Sequence, residues 1–309
     1  MIAFYKNTDN GVEQLSHPVP NCWINVIDPS PAEIAQLTQL GIPQDYLTYP
    51  LDLDERARTE RENGDILIIL RIPYYQGESV DIPYTTIPLG IIINGQYIVT
   101  VCRCSNDIIQ EFTSGRVKGL STGKRYRFVL RILLSTANKF LSYLRDITKA
   151  VELLEDELQQ STRNREVLGL LKYEKSLTYF TTALKANELL MERLQRSQMF
   201  NTYPEDEDLL EDVLTENQQA IEMTNIQSNI LSGMMDAFAS IISNNLNGVM
   251  KFLASMTIVI SLPTMLASFY GMNVRLPLED YSLAFPIVLG ASVALSLIVA
   301  FIFYKRDWF

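Results

Sequence analysis

The chain has 309 residues, of which 47% are hydrophobic and 20% are charged, and its formal net charge is −10. This acidic balance, without a basic patch, argues against a nucleic acid as a partner. His17 is the only histidine, and no phosphate-binding glycine loop or catalytic motif is present, so the sequence offers no candidate residues for an enzyme.

Residues 1–118 are predicted to form a small α/β domain. Strands are expected at residues 2–5, 22–27, 66–72, 84–93 and 96–102, and a short helix at residues 32–40. Asn94-Gly95, between the last two strands, is a strong signal for a hairpin. The continuous apolar run from Ile66 to Leu70 predicts a strand that is covered on both faces.

Residues 119–200 change to a helical pattern. Apolar residues spaced three and four apart predict helices at residues 124–160 and 165–199, which we interpret as an antiparallel helical hairpin. A third helix is expected to begin after Pro204 and to run to Tyr270, because no strong breaker interrupts it. Such a helix would be about 100 Å long.

The third helix carries a heptad rhythm with polar members. Residues in steps of four and three are Leu210, Leu214, Asn217, Ile221, Thr224, Ser228, Leu231, Met235, Phe238, Ile242 and Asn245. A dry coiled coil prefers Leu or Ile at such positions, so this pattern favours a wetter bundle or a channel axis. Asp212 belongs to a group of carboxylates that complements the start of the helix. Asp236, beside the rhythm, is either a solvated charge or a cation ligand between subunits.

Two uncharged stretches near the C-terminus predict membrane helices. Residues 252–270 carry no charge over 19 positions, which at 1.5 Å per residue approaches the ~30 Å of a bilayer core. Residues 282–304 form the second stretch. The sequence begins without a recognisable signal peptide. The cations Lys251, Lys305 and Arg306 flank the spans, which predicts that both termini lie in the cytosol.

A stripe of small hydroxyl side chains follows one face of the first span. Its members are Thr257, Ser261, Thr264 and Ser268, and the same face, continued toward the cytosol, passes Met250 and reaches Asn247. Two interpretations are open. Small residues in membranes most often mark contacts between helices, but the stripe would also suit the lining of an ion path.

Tyr270-Gly271-Met272-Asn273 follows the stripe, before a short loop and the second span. Gly-Met-Asn between two C-terminal spans, after a long helical region, resembles the signature of the CorA family of divalent-cation transporters. The motif order matches closely over residues 205–309, whereas the rest matches in layout. The resemblance implies a homopentamer in the plasma membrane. Its α+β cytosolic domain, a sheet domain plus a helical bundle, would join two C-terminal transmembrane helices through a long stalk helix, as a funnel.

The resemblance also assigns roles along the ion path. Gly271, Met272 and Asn273 match the selectivity filter, where the asparagines form an outer ring. Asn247 and Met250 match the polar ring and the constriction at the inner mouth. Leu253, Thr264 and Ser268 fall at pore-facing positions of the family. Thr257 and Ser261 are added as pore-lining residues because they belong to the same stripe.

Acidic residues match the regulatory sites of that family. Asp236 and Asp212 fall where cytosolic Mg²⁺ is expected to bridge subunits and to hold the channel shut. The N-terminal partner acid does not align, and Asp52 or Asp54 is the available substitute. Glu279 and Asp280, in the outer loop, would attract cations.

The predicted function is movement of Mg²⁺ into the cytosol down its electrochemical gradient. A Co²⁺, Ni²⁺ or Zn²⁺ transporter on the same scaffold is the alternative, and a membrane-anchored coiled-coil scaffold is a third hypothesis. The predicted organisation is an α/β domain at 1–118, a helical hairpin at 119–200, a stalk and first membrane helix at 205–270, an outer loop at 271–281, a second membrane helix at 282–304 and a basic tail at 305–309.

Overall fold

The structure, a computed structural model, describes residues 1–8, 11–160, 164–197, 203–273, 283–306 and 308. Its strands are β1 (Ile2–Thr8), β2 (Gly11–Leu15), β3 (Trp23–Ile27), β4 (Arg58–Glu62), β5 (Asp65–Tyr75), β6 (Tyr84–Ile93) and β7 (Ile98–Cys102). Its helices are α1 (Pro31–Gln39), α2 (Gln44–Thr48), α3 (Asp107–Thr113), α4 (Arg125–Gln160), α5 (Asn164–Arg196), α6 (Pro204–Tyr270) and α7 (Ala284–Lys305). The chain forms two compact units, Met1–Gly233 and Met234–Phe309.

The seven strands form one mixed sheet in the order β2-β1-β3-β7-β6-β5-β4. Only β3 and β7 pair in parallel among these strands. The hairpin expected at Asn94-Gly95 is confirmed, since β6 and β7 are antiparallel neighbours. The Asn94 amide donates to the Tyr97 carbonyl at 3.0 Å and closes a turn slightly longer than the two-residue type.

The two edge strands, β2 and β4, lie outside the five strands expected from the sequence. β4 has the sequence RTERE, with no apolar side chain to alternate. A charged edge strand of this kind protects a sheet from pairing with other chains. Because β4 has no apolar pattern, the sequence analysis does not predict it. The turn that joins β4 to β5 is Asn63-Gly64, at φ of 52° and 92°, as tight hairpin turns require.

β5 is covered on both faces, as its apolar run predicts. Ile66, Ile68 and Leu70 belong to a core shared with α3, α4, α5 and the start of α6. Leu67 and Ile69 belong to a second core, shared with α1 and α2. The sheet is therefore the middle layer of three in the first unit.

α6 is one continuous helix from Pro204 to Tyr270, as predicted, although it contains Pro263. In its first part the heptad positions are buried or half-buried within the same chain, and Thr224 is fully buried. Beside them, the Gln227 amide donates to the Leu144 carbonyl at 3.1 Å and to Thr148 Oγ1 at 2.6 Å, both on α4. The polar heptad residues in this part of α6 therefore pack within the helical bundle of one chain. This agrees with the bundle interpretation and not with a channel axis.

Candidate functional site

α6 and α7 each contain a segment long and apolar enough to cross a membrane, with mean hydropathy of 1.8 and 2.5. In both segments only 6% of the residues are buried, so most apolar side chains face outward. This is the arrangement expected of helices whose surroundings are lipid or other membrane helices rather than water.

The two segments lie antiparallel and in register. Ser296 Oγ donates to the Val259 carbonyl at 3.4 Å, which sets the relative level of the helices. Toward the far end of α6, a cavity of about 550 Å³ is lined by both helices, with Leu266 and Tyr270 on one side and Phe285 on the other. Counting from the Ser296 contact, residues 252–270 are level with residues 285–303, so the two uncharged stretches span the same depth of about 28 Å.

The hydroxyl stripe is on the side of α6 that faces away from α7. The least exposed side of this segment carries Ser255 and Val259, and the Val259 carbonyl contacts Ser296 on α7. At 100° per residue, the stripe from Thr257 to Ser268 lies about 160° around the helix from that side. All of its members are exposed. Packing between α6 and α7 therefore does not explain the stripe.

Hydroxyl groups of the stripe donate to carbonyls of their own helix. Thr257 bonds Leu253 at 2.8 Å, Ser261 bonds Ile258 at 2.8 Å, and Thr264 bonds Ile260 at 3.2 Å. Because each donor is used inside the helix, the oxygen lone pairs remain available outward as acceptors. Water bound to a cation presents its hydrogens outward, and Mg²⁺ releases its water reluctantly. A row of acceptors therefore suits a hydrated cation.

A shallow groove collects most of the predicted pore-facing residues. It is lined by Leu253, Met256, Thr257, Ile260, Ser261, Thr264, Met265, Ser268 and Phe269. Met250 is one turn beyond the groove, in line with the stripe, and Asn247 is further around the helix; both are exposed. The structure thus places the predicted stripe on one continuous face.

The Gly-Met-Asn segment begins at the end of α6. The Gly271 amide donates to the Ala267 and Ser268 carbonyls at 3.0 and 3.2 Å, so the backbone still follows the helix there. Asn273 is exposed and is the last described residue before the loop. Glu279 and Asp280 lie outside the described residues.

The predicted regulatory carboxylates Asp52, Asp54, Asp212 and Asp236 are all exposed. Asp212 belongs to the first compact unit and Asp236 to the second. Asp52 and Asp54 share a turn, in which the Asp54 amide donates to Asp52 Oδ1 at 3.0 Å. Among the described residues, no group of three or more His, Cys, Asp or Glu side chains could hold a metal ion.

Comparison with known proteins identifies the family. A model of the CorA-like Mg²⁺ transporter family matches residues 20–306. The chain belongs to this family. It is therefore a membrane transporter of divalent cations, not an enzyme, as the Gly-Met-Asn signature predicts.

Two of three similar proteins match nearly the whole chain. The cobalt/magnesium transport protein CorA of Thermotoga maritima is 21% identical over 293 residues, which are 93% of this chain and 83% of that protein. The magnesium transport protein CorA of Campylobacter jejuni is 32% identical over 97 residues, 31% of this chain and 30% of that protein. The complete CorA structure of Methanocaldococcus jannaschii has a TM-score of 0.87 at 24% identity and covers 100% of this chain and 99% of its own. The predicted CorA-type fold is confirmed.

Arg71, which the sequence analysis does not single out, holds the turn that carries Asp52 and Asp54 in this CorA-family chain. Its Nη1 donates to the carbonyls of Leu53 and Glu55 at 2.6 and 3.1 Å. Burial lowers the pKa of this guanidinium, and the nearby Asp54 carboxylate opposes that shift. A lone charge in the otherwise apolar run of β5 is the sequence signal that points to it.

Asn187 on α5 fixes Arg71 from the other side. Its Oδ1 accepts from the Arg71 amide at 3.0 Å, and its Nδ2 donates to the Arg71 carbonyl at 2.7 Å. β4 pairs with β5 only as far as Ile69, so the Asn187 amide replaces a strand partner where β4 has ended. The acidic turn is thereby tied to the sheet and to α5.

The start of α6 is anchored by an ion pair. Arg127 Nε on α4 lies 2.5 Å from Asp206 Oδ1, and the Asp206 side chain is only 1% exposed. Arg127 Nη1 lies 2.8 Å from Glu205 Oε2, whose side chain is 76% exposed. The Asp206 carboxylate is the main cause of the raised pKa of Arg127. From the sequence, Asp206 is only one of several acids at a helix start; its partner is visible only in the fold.

Proposed function

We propose that copies of this chain surround a common axis, with α6 inside and α7 outside, and that Mg²⁺ passes along the hydroxyl stripe into the cytosol. The observation that carries this proposal is the direction of the stripe, which faces away from α7 with its acceptors outward. One helix cannot enclose a path, so the path requires several subunits. The resemblance to CorA proteins suggests five.

Membrane potential supplies the driving force for inward movement. Moving one elementary charge through about 100 mV releases about 2.3 kcal/mol, so a divalent ion gains about 4.6 kcal/mol. The stripe contains no carboxylate, and its hydroxyls offer hydrogen bonds to the ion's water shell. Binding along the path is therefore weak enough for release. Asn273, at the outer end, would hold the hydrated ion through its bound water.

Cytosolic Mg²⁺ would close the channel by binding between subunits. Asp212 and Asp236 are exposed, which leaves their carboxylates accessible to a neighbouring subunit, and Asp52 or Asp54 would supply a further acid. Both termini would lie in the cytosol and the Gly-Met-Asn loop outside the plasma membrane, because Lys251, Lys305 and Arg306 flank the spans at one end.

Co²⁺ is the second candidate ion. The Thermotoga maritima relative is named a cobalt/magnesium transport protein, and an acceptor-lined path does not separate two hydrated divalent ions of similar charge. Ni²⁺ and Zn²⁺ fit less well, because one histidine and three cysteines offer little of the softer ligand chemistry that these metals favour. Membership of a transporter family favours transport over the scaffold hypothesis.

Flux into proteoliposomes tests this function. The purified chain is reconstituted with a negative internal potential and a metal-sensitive dye, and Mg²⁺, Co²⁺ and Zn²⁺ are compared. Thr264→Val keeps the side-chain shape but removes one acceptor. We expect Mg²⁺ flux to fall about tenfold, the equivalent of about 1.4 kcal/mol. Asn273→Ala is expected to abolish Mg²⁺ selection.

Ser292→Ala is the matched control. Ser292 is buried on α7, on the side nearest to α6. Its hydroxyl lies off the proposed path, so this variant removes no acceptor from the path and should keep its flux within about twofold. An equal loss in Thr264→Val and Ser292→Ala would assign the effect to helix packing and refute the ion-path role of the stripe. The number of subunits is tested separately: it is the mass of the intact assembly divided by the mass of one chain.

A further inference from the structure

Three cations lie at one level of the α6–α7 pair, at the end away from the Gly-Met-Asn segment. The contact between Ser296 and Val259 sets this level: Lys251 on α6 is level with Tyr304 on α7, next to Lys305 and Arg306. All three cations are exposed, and none forms an ion pair with another residue that the structure describes. Asp307 and the C-terminal residue Phe309 lie outside the described residues.

The cations coincide with an aromatic boundary. The rings of Phe303 and Trp308 stack at 5.1 Å between centroids with an interplanar angle of 4°. The Trp308 amide donates to the Phe303 carbonyl at 3.1 Å, which fixes the chain after α7. Tyr304 is 72% exposed. Trp and Tyr gather at the headgroup level of membranes, so the cations lie where lipid phosphates lie.

Two of the cations border the crevice between the helices. Lys251 lies about 40° around α6 from Ser255, on the side nearest to α7, and Arg306 lies about 40° around α7 from Ser292, on the side nearest to α6. Lys305 lies about 140° from Ser292, away from the crevice. Lys251 and Arg306 therefore approach the same crevice, whereas Lys305, at the same depth, does not.

We propose that this crevice binds the headgroup phosphate of an anionic membrane phospholipid, with Lys251 and Arg306 as its contacts. Arginine binds phosphate oxygens through paired N–H donors, and lysine adds a point charge. Basic crevices between membrane helices favour acidic headgroups in this way. A lipid fits better than a soluble phosphate because the uncharged spans and the aromatic pair place the crevice at the membrane surface. This inference does not depend on which ion the stripe conducts.

Native mass spectrometry of the purified, delipidated full chain tests the proposal. Phosphatidylglycerol, phosphatidylcholine and inorganic phosphate are titrated separately, and the Kd of each is compared. We expect phosphatidylglycerol to bind more tightly than phosphatidylcholine. Lys251→Gln and Arg306→Gln should each raise the phosphatidylglycerol Kd about fivefold, and the double variant about 30-fold.

Lys305→Gln is the matched control, because it removes the same charge at the same depth outside the crevice, and it should change the Kd less than twofold. Arg306→Lys should recover most of the affinity. Equal losses in Lys305→Gln and Arg306→Gln would reduce the effect to general surface charge and overturn the proposal. Equal affinity for both lipids would also overturn it. Tight binding of inorganic phosphate would identify a soluble anion, and not a lipid, as the ligand of the crevice, and would overturn the proposal as well.

Discussion

The ion pair between Arg127 and Asp206 joins α4 to the first turn of α6, and its removal should loosen the attachment of the long helix. Asp206→Asn keeps the size of the side chain but removes its charge. Glu205→Gln makes the same chemical change one residue earlier, on the same guanidinium. The two variants therefore compare a buried and an exposed partner of a single arginine.

The burial of each carboxylate sets the expected magnitude. The Asp206 side chain is 1% exposed and that of Arg127 is 14% exposed, and breaking such a buried pair costs about 3–5 kcal/mol. Arg127 retains Glu205 at 2.8 Å, so we expect the lower end, about 3 kcal/mol, for Asp206→Asn. The Glu205 side chain is 76% exposed, and exposed pairs contribute about 0–1 kcal/mol.

Tryptophan fluorescence provides the assay. The chain contains two tryptophans, so a Trp308→Phe background leaves Trp23 as the only reporter. Trp23 is fully buried, and its ring lies 5.2 Å from Phe128, the residue after Arg127. Urea unfolding of the full chain in detergent is followed, since urea does not screen charge. The reasoning is refuted if the unfolding midpoint shifts as much in Glu205→Gln as in Asp206→Asn.

Three further changes probe the first unit, Met1–Gly233. Gly90→Ala would place a Cβ 2.2 Å from Pro50 Cγ, so we expect a loss of about 1–3 kcal/mol in urea unfolding; an unchanged midpoint would contradict this contact. The hydrogen bond from Lys139 holds the pKa of Asp107 below its usual range, so its stabilisation is complete above about pH 4 and is lost as the pH falls through the lowered pKa. Asp107→Asn should therefore flatten the acid limb of the stability–pH profile, and an identical limb would argue against the pair. Asn187→Leu leaves the part-buried amide and carbonyl of Arg71 on β5 without their Asn187 partner, at a cost of about 2–4 kcal/mol. Hydrogen exchange of the Arg71 amide should then be faster than in the parent, and an unchanged rate would contradict this role.

Local patterns were sufficient to predict the long helices. α4, α5 and α6 each begin and end within a few residues of the predicted positions. The signals that define them, which are the apolar spacing and the break near Pro204, act within one segment, and α6 continues through Pro263 to Tyr270. The uncharged stretch of α7 is predicted for the same reason. The Gly-Met-Asn motif at Gly271–Asn273, together with its place between two C-terminal spans after a long helical region, predicted the family that the comparison confirms.

Contacts between distant segments decided the rest. β2 and β4 are strands because of their places at the sheet edges, and no period within RTERE encodes that position. Arg127, the partner of Asp206, is 79 residues away in the sequence. Arg71 donates to carbonyls of a turn that is 16 and 18 residues away in the sequence. Such pairings depend on how the sheet and the helices pack, and the sequence of a single segment does not specify that packing.

The hydroxyl stripe depends both on the local sequence and on the tertiary structure. Its spacing along α6 is a property of the sequence, since residues three and four apart share one face of any helix. The sequence left open whether that face meets another helix or an ion path. The side occupied by α7 follows from the contact between Ser296 and Val259, 37 residues apart, and only the tertiary structure turns the stripe away from it.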